Sequence, residues 1–300
     1  MSYSVRKLHP LFAAELIGAD LSQEPSPELV ALVENLMAEH AVLVIRDQVH
    51  VGDDEHIRFS RAFGPLELPP DLKFAGARPA DIRRYRPELY DVSNLDNNGE
   101  IEPADALKRK FARGNEFFHT DSSFNDLPTK WSLLFSHVVP PIGGDTQFVD
   151  MRQAYELLPQ ATRQYVEGRA AEHSLWRSRE RGGFEANDAQ KKAMPPVSHP
   201  LVRTSASGRK ALYIGAHADH IVGMPLEEGR RLLDELMGFA TLPHLIYTHR
   251  WVKGDLVIWD NRCTMHRATT FDYLNQKRDL RRTTINEYGE ERRASRAPTN

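Results

Sequence analysis

Three stretches of the sequence carry residue types suited to metal or anion chemistry. His119-Thr120-Asp121 sets an imidazole and a carboxylate two residues apart. On a strand, positions i and i+2 point to the same side, so both side chains could grip one metal from a rigid element. Such a pair is half of the two-His, one-carboxylate facial triad that leaves open positions on a non-haem Fe(II). The spacing alone is a weak signal. With 13 histidines in 300 residues a His-x-Asp arises readily by chance, and a second stands at His217-Ala218-Asp219. An isolated pair of this kind is more often a hydrogen-bonded polar pair at a strand end. The second stretch is Gly143-Gly144-Asp145-Thr146, a tight turn that puts a small hydroxyl donor at the head of a strand. The third runs from Trp259-Asp260-Asn261-Arg262 through His266-Arg267 to Arg278 and Arg282. Those two arginines lie four apart and share one face if 278–284 is extended. Guanidinium suits bidentate carboxylate recognition, so the pair offers two carboxylate sites. With Lys277 and Arg281 beside them, a solvated basic strand is the plain alternative.

The elements that must position these residues read as mixed, with strands dominating the second half. Ser26-Pro27-Glu28 supplies an N-cap, a proline at the first helical position and an early negative charge. Leu29, Val30, Leu32, Val33, Leu36 and Met37 then recur at helical spacing, predicting a helix of about three turns. Ala41–Ile45 reads as a buried strand, and 53–63 as a second helix closed by Gly64. Later strands are predicted at 133–139, 146–149, 201–204, 211–215, 245–251, 255–259 and 280–287, several joined by short Gly turns. Turn-linked short strands favour a sandwich or jelly roll over a parallel sheet. Helices at 151–158, 161–167 and 226–239 would pack outside it. Two stretches, 65–115 and 176–200, mix prolines, glycines and charges, and long irregular segments of this kind are commonly functional lids. No repeat or boundary is visible, so one domain over 1–289 is expected, followed by a frayed tail at 290–300.

Composition narrows the function classes. The 39 Lys+Arg against 42 Asp+Glu leave a net charge of -3, with no basic footprint for DNA or RNA. No apolar stretch approaches the roughly 20 residues that span a bilayer, and no signal-peptide core is evident. The single Cys263 excludes an internal disulfide and Cys-rich metal sites, which fits a reducing cytosol, so a cytoplasmic protein with no membrane partner is expected. Cys263 itself is read as a packing residue.

Taken together, Phe118-His119-Thr120-Asp121-Ser122-Ser123-Phe124, the Gly-Gly-Asp-Thr turn, the segment from Trp259 to Arg267, and Arg278-x-x-x-Arg282-Thr283-Thr284 resemble the taurine dioxygenase family of Fe(II)/2-oxoglutarate oxygenases. Within it the chain is most similar to the 2,4-dichlorophenoxyacetate dioxygenases. The likeness runs from about residue 8 to 287 and includes Leu8 to Ala14, Ala193 to Val197, Pro200 to Thr204 and Ile214 to Ala218. The resemblance implies a double-stranded β-helix, a jelly roll with flanking helices. It implies His119, Asp121 and His266 as iron ligands, and Thr146 and Arg278 as holders of the distal carboxylate of 2-oxoglutarate. Arg282 would face the substrate's carboxylate, with His217 and Asn94 as further substrate-side candidates. His217-x-Asp219 is then the decoy as a metal pair. One departure is Phe118, where the family leads one to expect Trp, and pocket shape is expected to differ there.

The implied chemistry consumes 2-oxoglutarate and O2, releases succinate and CO2, and hydroxylates a small anionic substrate, with ascorbate as the reductant in vitro. In an aryloxyacetate such as 2,4-dichlorophenoxyacetate, hydroxylation beside the ether oxygen gives a hemiacetal that collapses to a phenol and glyoxylate. The same chemistry on another aromatic or amino-acid-like carboxylate, or a sulfonate, is the near alternative. From other classes stand a zinc-type hydrolase using His217, His220 and a further His, and a non-catalytic ligand-binding domain. Relatives imply a homo-oligomer.

Overall fold

Val42–Ile45 is apolar at every position because it is covered on both faces. Leu43 and Ile45 point to one side, against the helix Pro27–His40, while Val42 and Val44 point to the other, into the space between two sheets. The same alternation repeats on its neighbours. Leu133, Phe135, Leu256 and Ile258 join the helix-side cluster, whereas Leu134, Val257 and Trp259 join Phe148, Tyr247, Trp251 and Leu280 between the sheets. Each such side chain buried in full is worth about 1.5–3 kcal/mol, so these alternating rows fix the register of the whole sandwich.

In this computed structural model, which describes residues 3–68, 84–288 and 292–293, the strands form a sheet-rich jelly roll with flanking helices. The larger sheet has seven strands in the spatial order Ser4–Lys7, Ala14–Ile17, Val42–Ile45, Leu256–Asp260, Thr129–Val138, Asp279–Asn286 and Tyr90–Ser93. All neighbours are antiparallel except Ala14–Ile17 and Val42–Ile45, which run parallel. The smaller sheet sets Thr146–Asp150 between Ile246–His249 and Thr264–Ala268. A further three-stranded sheet, with Ala170–His173 between Ala218–Ile221 and Val197–Pro200, closes one side. A separate apolar cluster, including Val149, Met151, Met265, Ile214 and Leu233, packs the smaller sheet against the helices Met151–Leu157 and Leu226–Ala240.

The first helix begins as its sequence requires: Ser26 Oγ accepts the Leu29 N–H at 3.3 Å and Pro27 takes the first helical position. It runs for 14 residues, a turn longer than its apolar spacing indicates, and ends at Ala41 in the left-handed region. The second helix ends sooner than expected, at Arg61, with Gly64 two residues beyond its cap. Irregularity was the expectation for 176–200, but it holds two short helices, Leu175–Arg181 and Asp188–Ala193. The second is capped by Asn187 and Gln190, each side chain accepting from the other's backbone N–H. These helices are six and seven residues long, too short for apolar periodicity to stand out in the sequence. The other irregular stretch contains the strand Tyr90–Ser93 and the helix Leu107–Ala112, while 69–83 lie outside the described residues. In the expected tail, Arg292–Arg293 pairs in parallel with Glu67–Leu68, and the rest lies outside the described residues.

Candidate metal centre

His119 and His266 exchange both backbone hydrogen bonds, each N–H donating to the other's carbonyl at 2.9 Å. That isolated bridge brings residues 147 apart in sequence side by side, with ring centroids 4.3 Å apart. The expected strand geometry for His119-x-Asp121 does not hold. Only His119 is bridged, and Asp121 enters a turn in which Ser122 adopts a positive φ of 55°. Hydrogen bonds hold Asp121 there instead. Its N–H donates to Asn261 Oδ1 at 3.3 Å, and its carbonyl accepts from Thr129 Oγ1 at 3.2 Å. Among the described residues, His119, Asp121 and His266 are the one group of three side chains that could hold a metal ion, their ligand atoms lying within 4.8 Å of one another. His119 Nε2 is 3.9 Å and His266 Nε2 3.8 Å from the Asp121 carboxylate. Ligand atoms about 2 Å from one ion sit closer than this, so a small contraction would complete the site.

Protonation states suit a metal. Phe117 O lies 2.8 Å from His119 Nδ1, which fixes the proton there and leaves the Nε2 lone pair free. Burial holds both His119 and His266 below the ordinary imidazole range, so they stay neutral. Burial alone would raise Asp121, but the charge of Arg282 and the hydrogen bond from Ser132 help to outweigh it and keep the carboxylate ionised. Two neutral imidazoles and one carboxylate are the donor set of the facial triad. Around it, Ser132 Oγ donates to Asp121 Oδ2 at 2.7 Å and accepts from Asn261 Nδ2 at 2.9 Å, while Trp259 Nε1 donates to Asn261 Oδ1 at 2.9 Å. The Trp259 ring lies against His266 at 4.6 Å. Asn261 lies in the Trp259-Asp260-Asn261-Arg262 motif, whose spacing alone does not reveal this contact, and Ser132 carries no sequence signal at all.

Arg278 and Arg282 point to the same side of the extended 278–284 segment but meet different surroundings. Arg278 is buried, its Nε donating to Gly144 O and its Nη1 to Val92 O, both at 3.2 Å. Burial pulls it down to about 10. Gly144 has a φ of +70°, and a Cβ there would meet Pro140 at 2.8 Å and Arg278 at 3.4 Å. Thr146 begins the next strand, buried, with Oγ1 accepting from Trp251 Nε1 at 3.0 Å and its own proton free to donate. Arg282 lies over the Tyr90 ring at 4.5 Å and its Nη1 donates to Asp121 Oδ1. Tyr90 in turn donates to Glu67 Oε1, which also accepts from Ser122 Oγ at 2.7 Å. Burial pushes Glu67 up.

The Asn94 amide is fully engaged with backbone: Oδ1 accepts Arg278 N–H at 2.8 Å, and Nδ2 donates to Tyr273 O and Gln276 O at 2.9 Å each. It therefore braces Arg278. His217 is buried beside the triad, its ring 5.7 Å from His119 and 5.0 Å from Phe124, with Nδ1 unpartnered. Asp219 turns away to Arg230 at 2.6 Å and Arg177 at 3.2 Å, and His220 sits near Glu172 and Asp219, so 217–220 forms no metal group among the described residues. Phe118 packs into the apolar cluster with Met265 and Ile214 under the Arg267 guanidinium, so its ring belongs to the core. Burial raises the Cys263 thiol well above its ordinary value, in keeping with packing.

Comparison with known proteins adds three findings. The profile of the taurine catabolism dioxygenase TauD, TfdA family matches residues 4–284. An alpha-ketoglutarate-dependent 2,4-dichlorophenoxyacetate dioxygenase of Cupriavidus pinatubonensis is 45% identical over 286 residues, covering 95% of this chain and 98% of that protein. An (S)-phenoxypropionate/alpha-ketoglutarate-dioxygenase of Sphingobium herbicidovorans is 34% identical, covering 92% of each chain. Among solved structures, that of AAD-2 in complex with Mn(II) and N-oxalylglycine superposes with a TM-score of 0.87 at 39% identity, covering 97% of this chain and 98% of that one.

Proposed function

The chain belongs to the taurine catabolism dioxygenase TauD, TfdA family, and from that membership we propose that it is an Fe(II)/2-oxoglutarate-dependent dioxygenase that cleaves the ether of an aryloxyacetate. The observation that carries the reading is the preformed triad of His119, Asp121 and His266, neutral, ionised and neutral, with Arg282 bonded to its carboxylate. Bound Fe(II) with 2-oxoglutarate supplies the oxidising chemistry, in which O2 is consumed and succinate and CO2 are released. The carbon beside the substrate's ether oxygen is hydroxylated, and the hemiacetal collapses to a phenol and glyoxylate.

The protein's residues bind and orient. His119, Asp121 and His266 would hold the metal, and Ser132 and Asn261 hold Asp121. Arg278 and Thr146 would take the distal carboxylate of 2-oxoglutarate: a buried guanidinium bonded to carbonyls and a hydroxyl with a proton to give supply the donors a carboxylate needs. Asn94 keeps Arg278 aimed. Arg282, which stacks on Tyr90 and reaches Asp121, would receive the substrate's carboxylate, and the neutral His217 flanks the reacting carbon. Selectivity then rests on which carbon these contacts hold nearest the metal. The enzyme acts as a single domain over 1–289, as a cytoplasmic homo-oligomer.

The test is succinate release by the purified enzyme with Fe(II), ascorbate, 2-oxoglutarate and phenoxyacetates. Phenol and glyoxylate should form in step with succinate, and no turnover of any aryloxyacetate would overturn the substrate. Arg278→Ala should raise the KM for 2-oxoglutarate and Arg282→Ala the KM for the acid. Equal effects of both on 2-oxoglutarate would overturn their division of labour.

A further inference from the structure

Arg179 stands on the short helix Leu175–Arg181, within the 176–200 stretch. It is 8% exposed. Its Nη1 donates to Asn115 Oδ1 at 2.9 Å, and the guanidinium lies over the Phe111 ring at 4.3 Å. Those contacts satisfy little of a cation with five donors. Nε is buried without a hydrogen-bond partner, and among the described residues no carboxylate lies within ion-pair distance of Arg179. Burying a cation without an anion is costly, so such a group calls for an anionic partner.

Packing locates it. The turn Arg113–Glu116 leads through Phe117 and Phe118 into His119. Arg179 is lodged against that turn, where a Cβ on Gly114 would run into Nη1, and Gly182 backs onto the Gly114 amide. Leu175 and Trp176 of the same helix share an apolar cluster with Phe124, whose ring lies 5.0 Å from His217, and His217 lies 5.7 Å from His119. Arg179 is itself pulled down to about 10, first by burial and then by the charge of Arg282.

The buried carboxylates of the site are already engaged. Asp121 is bonded to Arg282 and is also the metal ligand. Glu67, the other buried carboxylate nearby, is bonded to Tyr90 and Ser122. We propose that Arg179 and Arg282 together bind the anionic head group of the substrate, Arg282 from the sheet and Arg179 from the helix packed on the 113–116 turn. The inference rests on the reading of the substrate as a small carboxylic acid, and it adds a second cationic ligand to that site.

Calorimetric titration of phenoxyacetate and of its neutral isostere phenoxyacetamide tests it, using the full chain loaded anaerobically with Fe(II) and 2-oxoglutarate. Losing one charge-assisted contact should weaken the acid about tenfold or more in Arg179→Gln while moving the amide about threefold at most. Arg179→Lys, which keeps charge and bulk but loses the planar fork, should fall between, and it carries the test if the glutamine variant does not fold. If both variants weaken acid and amide equally, Arg179 merely props the 113–116 turn and the inference is overturned. Failure of the wild-type protein to bind either ligand would instead overturn the aryloxyacetate reading, a result separable from the first.

Discussion

Ser132 reaches the metal centre with one hydroxyl, yet two groups depend on it. Its Oγ donates to Asp121 Oδ2 and accepts from Asn261 Nδ2. Ser132→Ala would free the ligand carboxylate to rotate and strand a buried amide N–H. Partners of this kind typically govern metal affinity by about 10–100-fold. Titration with Fe(II) or Mn(II) should show a loss in that range with the fold intact, and unchanged affinity would mean that Arg282 alone suffices to orient Asp121. The residue scale also separates the two His-x-Asp pairs. Both have the same sequence form, but Asp121 faces two imidazoles while Asp219 faces Arg177 and Arg230.

At the scale of elements, the Gly143-Gly144 turn determines where Arg278 sits. Both glycines have positive φ, and Gly144 lends its carbonyl to Arg278 Nε. Gly144→Ala would combine backbone strain with pressure on Pro140 and on the arginine. A displacement of about 1 Å at a positioning group can cost on the order of 100-fold in rate, so a rise of about tenfold or more in the KM for 2-oxoglutarate is expected. Steady-state kinetics at saturating substrate would check it, and an unchanged KM would remove Arg278 from 2-oxoglutarate binding. Gly215 plays a similar part for His119: with φ +144°, a Cβ there would come within 3.1 Å of the His119 Cα. That close approach lets the 214–218 segment lie against the metal-bearing bridge.

For the molecule as a whole, several histidines are buried in neutral form and tie stability to pH. His56 and His173 are each pushed down to about 3, by burial first, from an unfolded value of 6.5. Between those values the unfolded chain binds protons that the folded chain refuses, so stability falls as pH drops below 6.5 and goes on falling towards 3. Each group contributes about 2 kcal/mol of loss between pH 7 and pH 5. Denaturant unfolding should therefore show a lower midpoint at pH 5 than at pH 7. His173→Phe, whose ring can stack on Tyr213 as the imidazole does, should shrink the difference by about one such increment. A pH response unaltered by that variant would place the acid sensitivity elsewhere. Much of this molecule is legible in the chain itself. The capped first helix, the central strand Val42–Ile45, the Gly-Gly turn and the four co-linear motifs follow from local spacing, and local physics acts through neighbours in sequence. Residues that stand in no motif, such as Ser132 and Tyr90, gain meaning only by being brought to Asp121 and Arg282. The sequence determined which groups could ligate a metal and bind anions. Only the tertiary structure decided that a turn and not a strand presents Asp121, and that Arg282 grips that carboxylate, because burial and charge pairing are set by contacts between segments far apart in the chain.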